Sequence, residues 1–527
     1  MHYDKARNLV IYNVADPAMF CRYVPGAVAL PLNGYVAAPA DWERLQCVCA
    51  LGLPVIKPMR DYDWPHGPHI EKPMASQIER ANFLTVHARA FDLSDPGTGK
   101  TLAALWAADF MMQRASKPLR ALVVAPLSAL EDTWVREIND NFLGRRKAVV
   151  LHGSAERRRT LLQTPADFYI INHDGVSVGA RRSKRGGYIF EGFAAALQSR
   201  SDIRLAIVDE ASVYRDAYTR RSRVARALLS TRDYLWELTG TPMPQGPVDV
   251  FGLRKLLTPD WFETKRSWQG KTMTQLSQYK WVPKPEAAAL VKQVLTPSIY
   301  YAFEECTDIP PMLPPEVRSC DLTPEQNKML KELKKELLLH VQGGTISAVN
   351  GATLRTKFLQ IVSGAVYDDA HTAHRVDASP RIAMLKEYLE ESNDKLIVFA
   401  PFTSVVNLLN DTLKSYHRAM ITGAVPMTKR SEIFDAFRSP DGPRVIVADP
   451  GTMSHSLNLA AASTIIWYAP PRDKTEVYLQ ANRRIRRPNQ TKVQRIVQMV
   501  AHRLEREIFK RMAENSDLQN VVLGLLQ

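Results

Sequence analysis

The stretch DPGTGKT, Asp95 to Thr101, constrains this 527-residue chain more than any other. It follows a short apolar run and precedes the helical pattern LAALWAADFMM. A tight loop between a strand and a helix turns its backbone N–H groups inward, where they can wrap around phosphates. Gly97 and Gly99 permit the path, and Asp95 and Thr98 complete the loop. Lys100 can reach the β- and γ-phosphates, and the Thr101 hydroxyl can bind Mg²⁺. Ser94 stands where such loops usually open with Ala or Gly. Downstream, VDEAS (Val208 to Ser212) follows the apolar run LAIV. Asp209 is therefore expected at a strand's C-terminal end, holding the metal through water, with Glu210 polarising the attacking water. The ligand implied is a nucleoside triphosphate with Mg²⁺. The bland alternative is a Gly/Thr-rich turn that binds nothing.

The length exceeds what one core supports, so at least two domains are expected. No run approaches the ~18–20 apolar residues of a membrane span, and MHYDKARNLVIYNV lacks a signal-peptide layout. Five scattered cysteines, with Cys47 and Cys49 lacking a second pair or a His cluster, are expected to be free thiols. These features point to a cytoplasmic protein with no membrane partner.

The net charge is +14, which suits a polyanionic partner. Gln480 to Arg511 holds ten Lys/Arg against two acids, Tyr214 to Arg232 six against one, and RRSKRGG (Arg181 to Gly187) four. Any one run reads as a solvated basic face. Three on one chain tilt the reading toward nucleic acid.

From about 75 to 256, β-branched runs alternate with amphipathic stretches: ALVVAP, KAVVLHG, ADFYIIN, RLAIVDE, YLWELTG. The rhythm returns from about 380 to 511 in KLIVFAP, HRAMITG, PRVIVADP, STIIWYAP and KVQRIVQMV. Strands spaced by helices argue for α/β lobes, each a parallel sheet covered on both faces. Residues 1–70 are expected to form a small N-terminal β-rich or α+β domain, with one helix at DWERLQCVCALG. Lobe 1 is placed at 71–256, an inter-lobe insertion and linker at 257–320, and lobe 2 at 321–527, opening on a helix in Leu322 to Val341.

Several ordered motifs then carry a resemblance. LTGTPMPQGPVDVFGLRKLL (Leu238 to Leu257) resembles motif III of superfamily 2 helicases in the form used by Swi/Snf-like DNA translocases, and APLSALEDTWVREI, containing Trp134, resembles motif Ia. QANRRIRRPNQ is similar to motif VI, with Gln480, Arg484, Arg487 and Gln490 at the pattern positions. The resemblance covers residues 73–511 and implies two tandem RecA-like lobes.

It also implies roles for particular residues. Gln77, 23 residues before Lys100, would read the adenine edge, unless it is an ordinary helix-surface glutamine. Arg484 and Arg487, three apart on an expected helix, would stabilise charge on the transferring phosphoryl group; a basic helix face touching only phosphates is the alternative. Thr239 and Thr241 would relay nucleotide state toward DNA, although TGTP is also good turn chemistry. Gln480 joins them as a coupling or DNA-contact residue. Ser212, His455, Ser456 and Asn489 depart from the family pattern. His455 reads as a DNA or ATP contact or as a structural histidine.

The implied protein is a monomeric, DNA-stimulated ATPase that binds duplex or branched DNA without sequence preference and lacks the appended domains of chromatin remodellers. That economy resembles bacteriophage or bacterial members linked to fork reversal and strand annealing. The N-terminal domain would select the substrate. Thr264 to Lys284 interleaves Lys/Arg with Trp268, Tyr279 and Trp281, either for stacking on an exposed base or for packing between lobes. The rival readings are an RNA-directed helicase, an ATPase acting on a transcription complex, a restriction-system subunit, and a non-enzymatic binding module.

Overall fold

Contiguous β-branched runs build the two main sheets, because a parallel strand with helices on both faces has no solvent side. The computed structural model describes residues 1–526 apart from 69, 71, 184–186, 278–279, 307–308, 343–347, 369–371, 454–458, 473–474 and 487–489. The chain divides into two compact units, Met1–Cys306 with Gln519–Gln527, and Thr307–Leu518.

The first unit opens with strands β1 (His2–Asp4) and β2 (Leu9–Asn13), helix α1 (Pro17–Tyr23), strands β3 (Val28–Ala29) and β4 (Tyr35–Pro39), and helix α2 (Trp42–Ala50). The strands form an antiparallel sheet in the order β1-β2-β4-β3. Asp16 and Asp41 start the helices by accepting the Met19 and Arg44 N–H groups. This small α+β layer has its own core of Val10, Tyr12, Phe20, Val36, Leu45 and Val48.

Its neighbour is a larger sheet, and the two share side chains. Trp42, Met59 and Tyr62 sit in one core cluster with Leu84, Trp106 and Phe110. The Trp42 indole donates to the Arg114 carbonyl at 3.3 Å, and Tyr62 OH donates to the buried Asp109 carboxylate at 2.6 Å. The boundary expected near residue 70 therefore crosses a continuous core.

The larger part of the unit runs through α3 (Ala75–Val86), β5 (Arg89–Asp92), α4 (Lys100–Arg114), β6 (Arg120–Ala125), α5 (Arg136–Phe142), β7 (Ala148–Val150), α6 (Ala155–Gln163) and β8 (Phe168–Asn172). A hairpin of β9 (Ala180–Arg182) and β10 (Tyr188–Phe190) follows, then α7 (Gly192–Ser199), β11 (Ile203–Asp209), α8 (Arg220–Leu229), β12 (Tyr234–Leu238) and α9 (Val250–Leu257). Next come α10 (Lys265–Thr272), a hairpin of β13 (Met273–Ser277) and β14 (Lys280–Pro283), α11 (Ala287–Val294), β15 (Ser298–Ile299) and α12 (Phe303–Cys306).

The sheet order is β15-β5-β12-β11-β6-β8-β7, with every pairing parallel. Asp209 lies opposite Leu238 and Leu238 opposite Asp92, so three strands end in line at one edge. Residues 257–306, expected as insertion and linker, return to this sheet as β15. Phe91 and Leu93 N–H groups bond the Pro297 and Ile299 carbonyls at 3.1 and 2.9 Å.

The second unit holds β16 (Glu316–Ser319), α13 (Pro324–Gln342), α14 (Ala348–Ser363), a hairpin of β17 (Ala365–Tyr367) and β18 (Ala373–Arg375), α15 (Ser379–Glu391) and β19 (Leu396–Phe399). It continues through α16 (Thr403–Thr412), β20 (Arg418–Ile421), α17 (Met427–Arg438), β21 (Val445–Ala448), β22 (Thr464–Trp467), α18 (Thr475–Asn482), β23 (Arg495–Val500) and α19 (Arg503–Leu526) as far as Leu518. Its parallel sheet runs β16-β23-β22-β19-β21-β20. Arg381 and Glu505 form a buried ion pair at 2.6 Å that ties α15 to the start of α19.

The architecture is the α/β one expected: two tandem parallel-sheet lobes with a small N-terminal β-containing region. Among the described residues, no helix is long and apolar enough to cross a membrane.

Candidate nucleotide-binding site

Strand β5 ends at Asp92 and α4 begins at Lys100, so the glycine loop spans the gap at the sheet's carboxyl edge. Gly97 and Gly99 have φ of +86° and +79°, a region in which a Cβ is strained. A Cβ on Gly99 would also stand 2.1 Å from the Gln77 amide nitrogen. Lys100 Nζ donates to the Ser94 and Asp95 carbonyls at 2.7 and 3.0 Å. Burial pushes its pKa down, opposed by the nearby carboxylates of Asp92, Glu210 and Asp209. The acidic pair thus shares its electrostatic environment with the loop lysine. Thr101 follows in the first turn of α4.

The loop is braced on two sides. From α3, the Arg80 guanidinium, fully buried, donates to the Ser76 carbonyl at 3.1 Å, to Thr98 Oγ1 at 2.9 Å and to the Thr98 carbonyl. It also lies 3.9 Å from the Asp92 carboxylate. Thr98 Oγ1 in turn donates to the Asp95 carbonyl at 2.7 Å. From the outer edge, the Asp95 N–H bonds the Tyr301 carbonyl at 3.1 Å, and the Phe303 N–H bonds Asp95 Oδ2 at 3.2 Å. Neither brace was expected from the sequence.

Gln77 is buried against the loop. Its Oε1 accepts the Met74 N–H at 3.1 Å and its Nε2 approaches the Gly99 carbonyl at 3.5 Å. The reading of a solvent-facing helix glutamine does not hold. The structure brings Gln77 to the loop.

At the end of β11, Asp209 accepts the Trp134 indole N–H on Oδ2 and the Glu210 N–H on Oδ1, both at 3.0 Å. Burial, then the charge of Glu210, pushes the Asp209 carboxyl up to about 6. Glu210 has φ of +49°, an uncommon left-handed conformation for a residue with a Cβ, which turns the chain sharply off the strand. Trp134 lies in a π-helical turn, Leu130–Val135. The sequence flagged it only as part of motif Ia.

Thr239 and Thr241 leave β12 beside these groups. The Thr239 N–H bonds the Asp92 carbonyl at 3.0 Å, and its Oγ1 accepts the Thr241 N–H at 3.2 Å. Both are buried, as is Ser212.

In the second unit Gln480 and Arg484 are buried. The expected helical face of Arg484 and Arg487 is corrected. Helix α18 stops at Asn482, and the chain turns through Arg484. Gln490 Nε2 holds this turn, donating to the Ala460, Ala462 and Ile485 carbonyls at 3.1, 2.8 and 3.0 Å. Arg487, His455, Ser456 and Asn489 lie outside the described residues, as does Tyr279.

Trp268 is also corrected as a base-stacking candidate. It is buried within the first unit, edge-on to Trp261, and its indole donates to the Pro247 carbonyl at 2.9 Å.

A family model described as the SNF2-related domain matches residues 93–364, and one described as the helicase conserved C-terminal domain matches residues 380–489. The chain belongs to the SNF2-related family, as a helicase-like ATPase.

Curated relatives include the putative protein p41 of Acyrthosiphon pisum secondary endosymbiont phage 1, 24% identical over 74% of this chain and 83% of that protein. The chromatin structure-remodeling complex subunit snf21 of Schizosaccharomyces pombe is 22% identical over 83% of this chain. The chain spans 83% of the phage protein but only 38% of snf21. Among solved structures, the Sulfolobus solfataricus SWI2/SNF2 ATPase core in complex with dsDNA is 19% identical, covering 87% of this chain and 94% of that one, at a TM-score of 0.40.

Proposed function

We propose that the protein hydrolyses ATP with Mg²⁺ to move along DNA, with hydrolysis stimulated by duplex or branched DNA and little sequence preference. One observation supports this most: the glycine loop, the Asp209–Glu210 pair and the Thr239 turn leave three adjacent strands whose ends are in register.

The residues present fit the nucleotide and its metal. Gly97 and Gly99 shape a cradle of N–H groups at the start of α4, where the helix dipole favours phosphate. Lys100 would release the Ser94 and Asp95 carbonyls and hold the β- and γ-phosphates. Thr101 and Asp209 would hold the metal, with Trp134 fixing the Asp209 carboxylate. When bound, Mg²⁺ neutralises charge on the phosphate oxygens. Glu210 would orient the attacking water and accept its proton. Gln77 would recognise adenine, and Arg484 and Arg487 would stabilise the transferring phosphoryl charge. Thr239, bonded to the last residue of β5, and Gln480 would couple nucleotide state to the DNA side. The residues 1–70 would bias the choice among DNA structures.

Fork reversal, branch migration or strand annealing in replication, recombination or repair is the setting this reading favours. Phosphate release should be measured with duplex DNA, forked DNA, single strands and RNA at one salt concentration. Stimulation by duplex or forked DNA is expected. Stimulation by RNA alone would replace this reading with an RNA-directed one.

A further inference from the structure

Two basic runs that lie apart in the sequence meet on the first unit. Strand β9 carries Arg181 and Arg182, and β10 brings Tyr188 directly opposite Arg182. The chain entering α8 and its first turn carry Tyr218, Arg220 and Arg223. These side chains line one cavity of about 460 Å³. Arg220 fixes the two segments together, its Nη2 donating to the Ala180 carbonyl at 2.8 Å.

Charge at this cavity is unbalanced. The nearby acids are already engaged: Glu191 with Arg181 at 2.6 Å, Asp174 with Arg221 at 2.8 Å, and Asp216 near Lys265 at 3.6 Å. Arg182 and Arg223 have no carboxylate partner among the described residues. Tyr218 is 51% exposed and stacks on Phe251, with Arg223 and Lys265 lying 5.7 and 5.9 Å from its ring centroid. Guanidiniums without counter-ions, arranged in a concavity beside the exposed ring of Tyr218 and the half-buried ring of Tyr188, match phosphate oxygens linked to stackable bases.

We propose that this cavity binds the phosphodiester backbone of a nucleic-acid strand, with Arg182, Arg220 and Arg223 on its phosphates and Tyr218 and Tyr188 against its sugars or bases. The site lies outside the nucleotide-binding loop, so it sets grip on the strand and leaves ATP binding untouched. It rests on the proposed function in taking nucleic acid as the partner.

The test uses the full chain with Arg182→Ala, Arg223→Ala, their double variant and Arg182→Lys. Affinity for a single strand and for a blunt duplex of equal length is measured from 50 to 200 mM salt, with thermal unfolding and ATP affinity as controls on the fold. Each alanine variant should weaken binding roughly tenfold at low salt and flatten the dependence of log K on log salt by about 1, with Arg182→Lys recovering part of the slope. A loss confined to the single strand assigns the cavity to an unpaired strand, and a loss on both substrates assigns it to the duplex. Unchanged affinity and slope, in variants that fold and bind ATP, overturn the surface and leave the proposed function standing. A wild-type protein that binds no nucleic acid overturns both.

Discussion

The indole N–H of Trp134 donates to Oδ2 of Asp209 across 3.0 Å, joining a π-helical turn to the acidic motif at the end of β11. The bond fixes one carboxylate oxygen and leaves the acid oriented without consuming its charge. Trp134→Phe keeps most of the buried ring and removes the donor. A hydrogen bond to a charged group is worth about 1.5–3 kcal/mol, so kcat for ATP should fall about 10- to 100-fold. The KM for ATP should change little if the bond serves orientation alone. An unchanged kcat in a folded variant would make Trp134 a packing residue only.

Arg80 should govern the shape of the glycine loop. Its guanidinium is fully buried between Thr98, Ser76 and Asp92. Arg80→Met would leave Asp92 buried beside an apolar chain, and removing one partner of a buried pair costs about 3–5 kcal/mol. The first unit should then unfold at lower temperature and denaturant concentration. ATP should restore part of that loss by binding the folded loop. Identical unfolding curves for variant and wild type would show that the brace carries no stability.

The N-terminal layer should not be removable at residue 70. Trp42, Met59 and Tyr62 fill the same core as Trp106 and Phe110, and Tyr62 supplies a hydrogen bond to buried Asp109. Replacing one such large side chain by alanine costs about 3–5 kcal/mol, and the deletion removes several at once. A chain lacking residues 1–70 should be insoluble or should lose cooperative unfolding of the first unit. A deletion variant that unfolds as cooperatively as the full chain would show that the shared core is dispensable.

The legible parts of the sequence were those in which one residue type has one physical use. ALVVAP and RLAIVDE announce parallel strands because β-branched residues buried on both faces leave no polar alternation. DPGTGKT announces its loop because positive φ at Gly97 and Gly99 excludes most other residues. Strand β15 was not legible. It holds two residues and is defined by backbone bonds to β5 that composition does not encode. Arg80 reads as a helix-surface charge until Thr98 and Asp92 are placed around it. Trp268 sits among lysines in sequence, yet turns inward to Trp261 and the Pro247 carbonyl. Arg484 looked helical from its spacing, but α18 ends at Asn482 and Arg484 lies in the turn beyond it, which Gln490 holds through carbonyls that spacing does not reveal.

The central claim is that Glu210, at the sharp turn after β11, activates water for ATP hydrolysis that DNA stimulates. The direct measurement is steady-state phosphate release with and without duplex DNA, for wild type and Glu210→Gln, alongside ATP affinity by a fluorescent analogue. The account predicts DNA-stimulated release in the wild type. In Glu210→Gln it predicts ATP affinity close to wild type and turnover reduced by orders of magnitude under both conditions, since the amide keeps the shape and loses the base. Near-normal DNA-stimulated turnover in a correctly folded Glu210→Gln protein would contradict it.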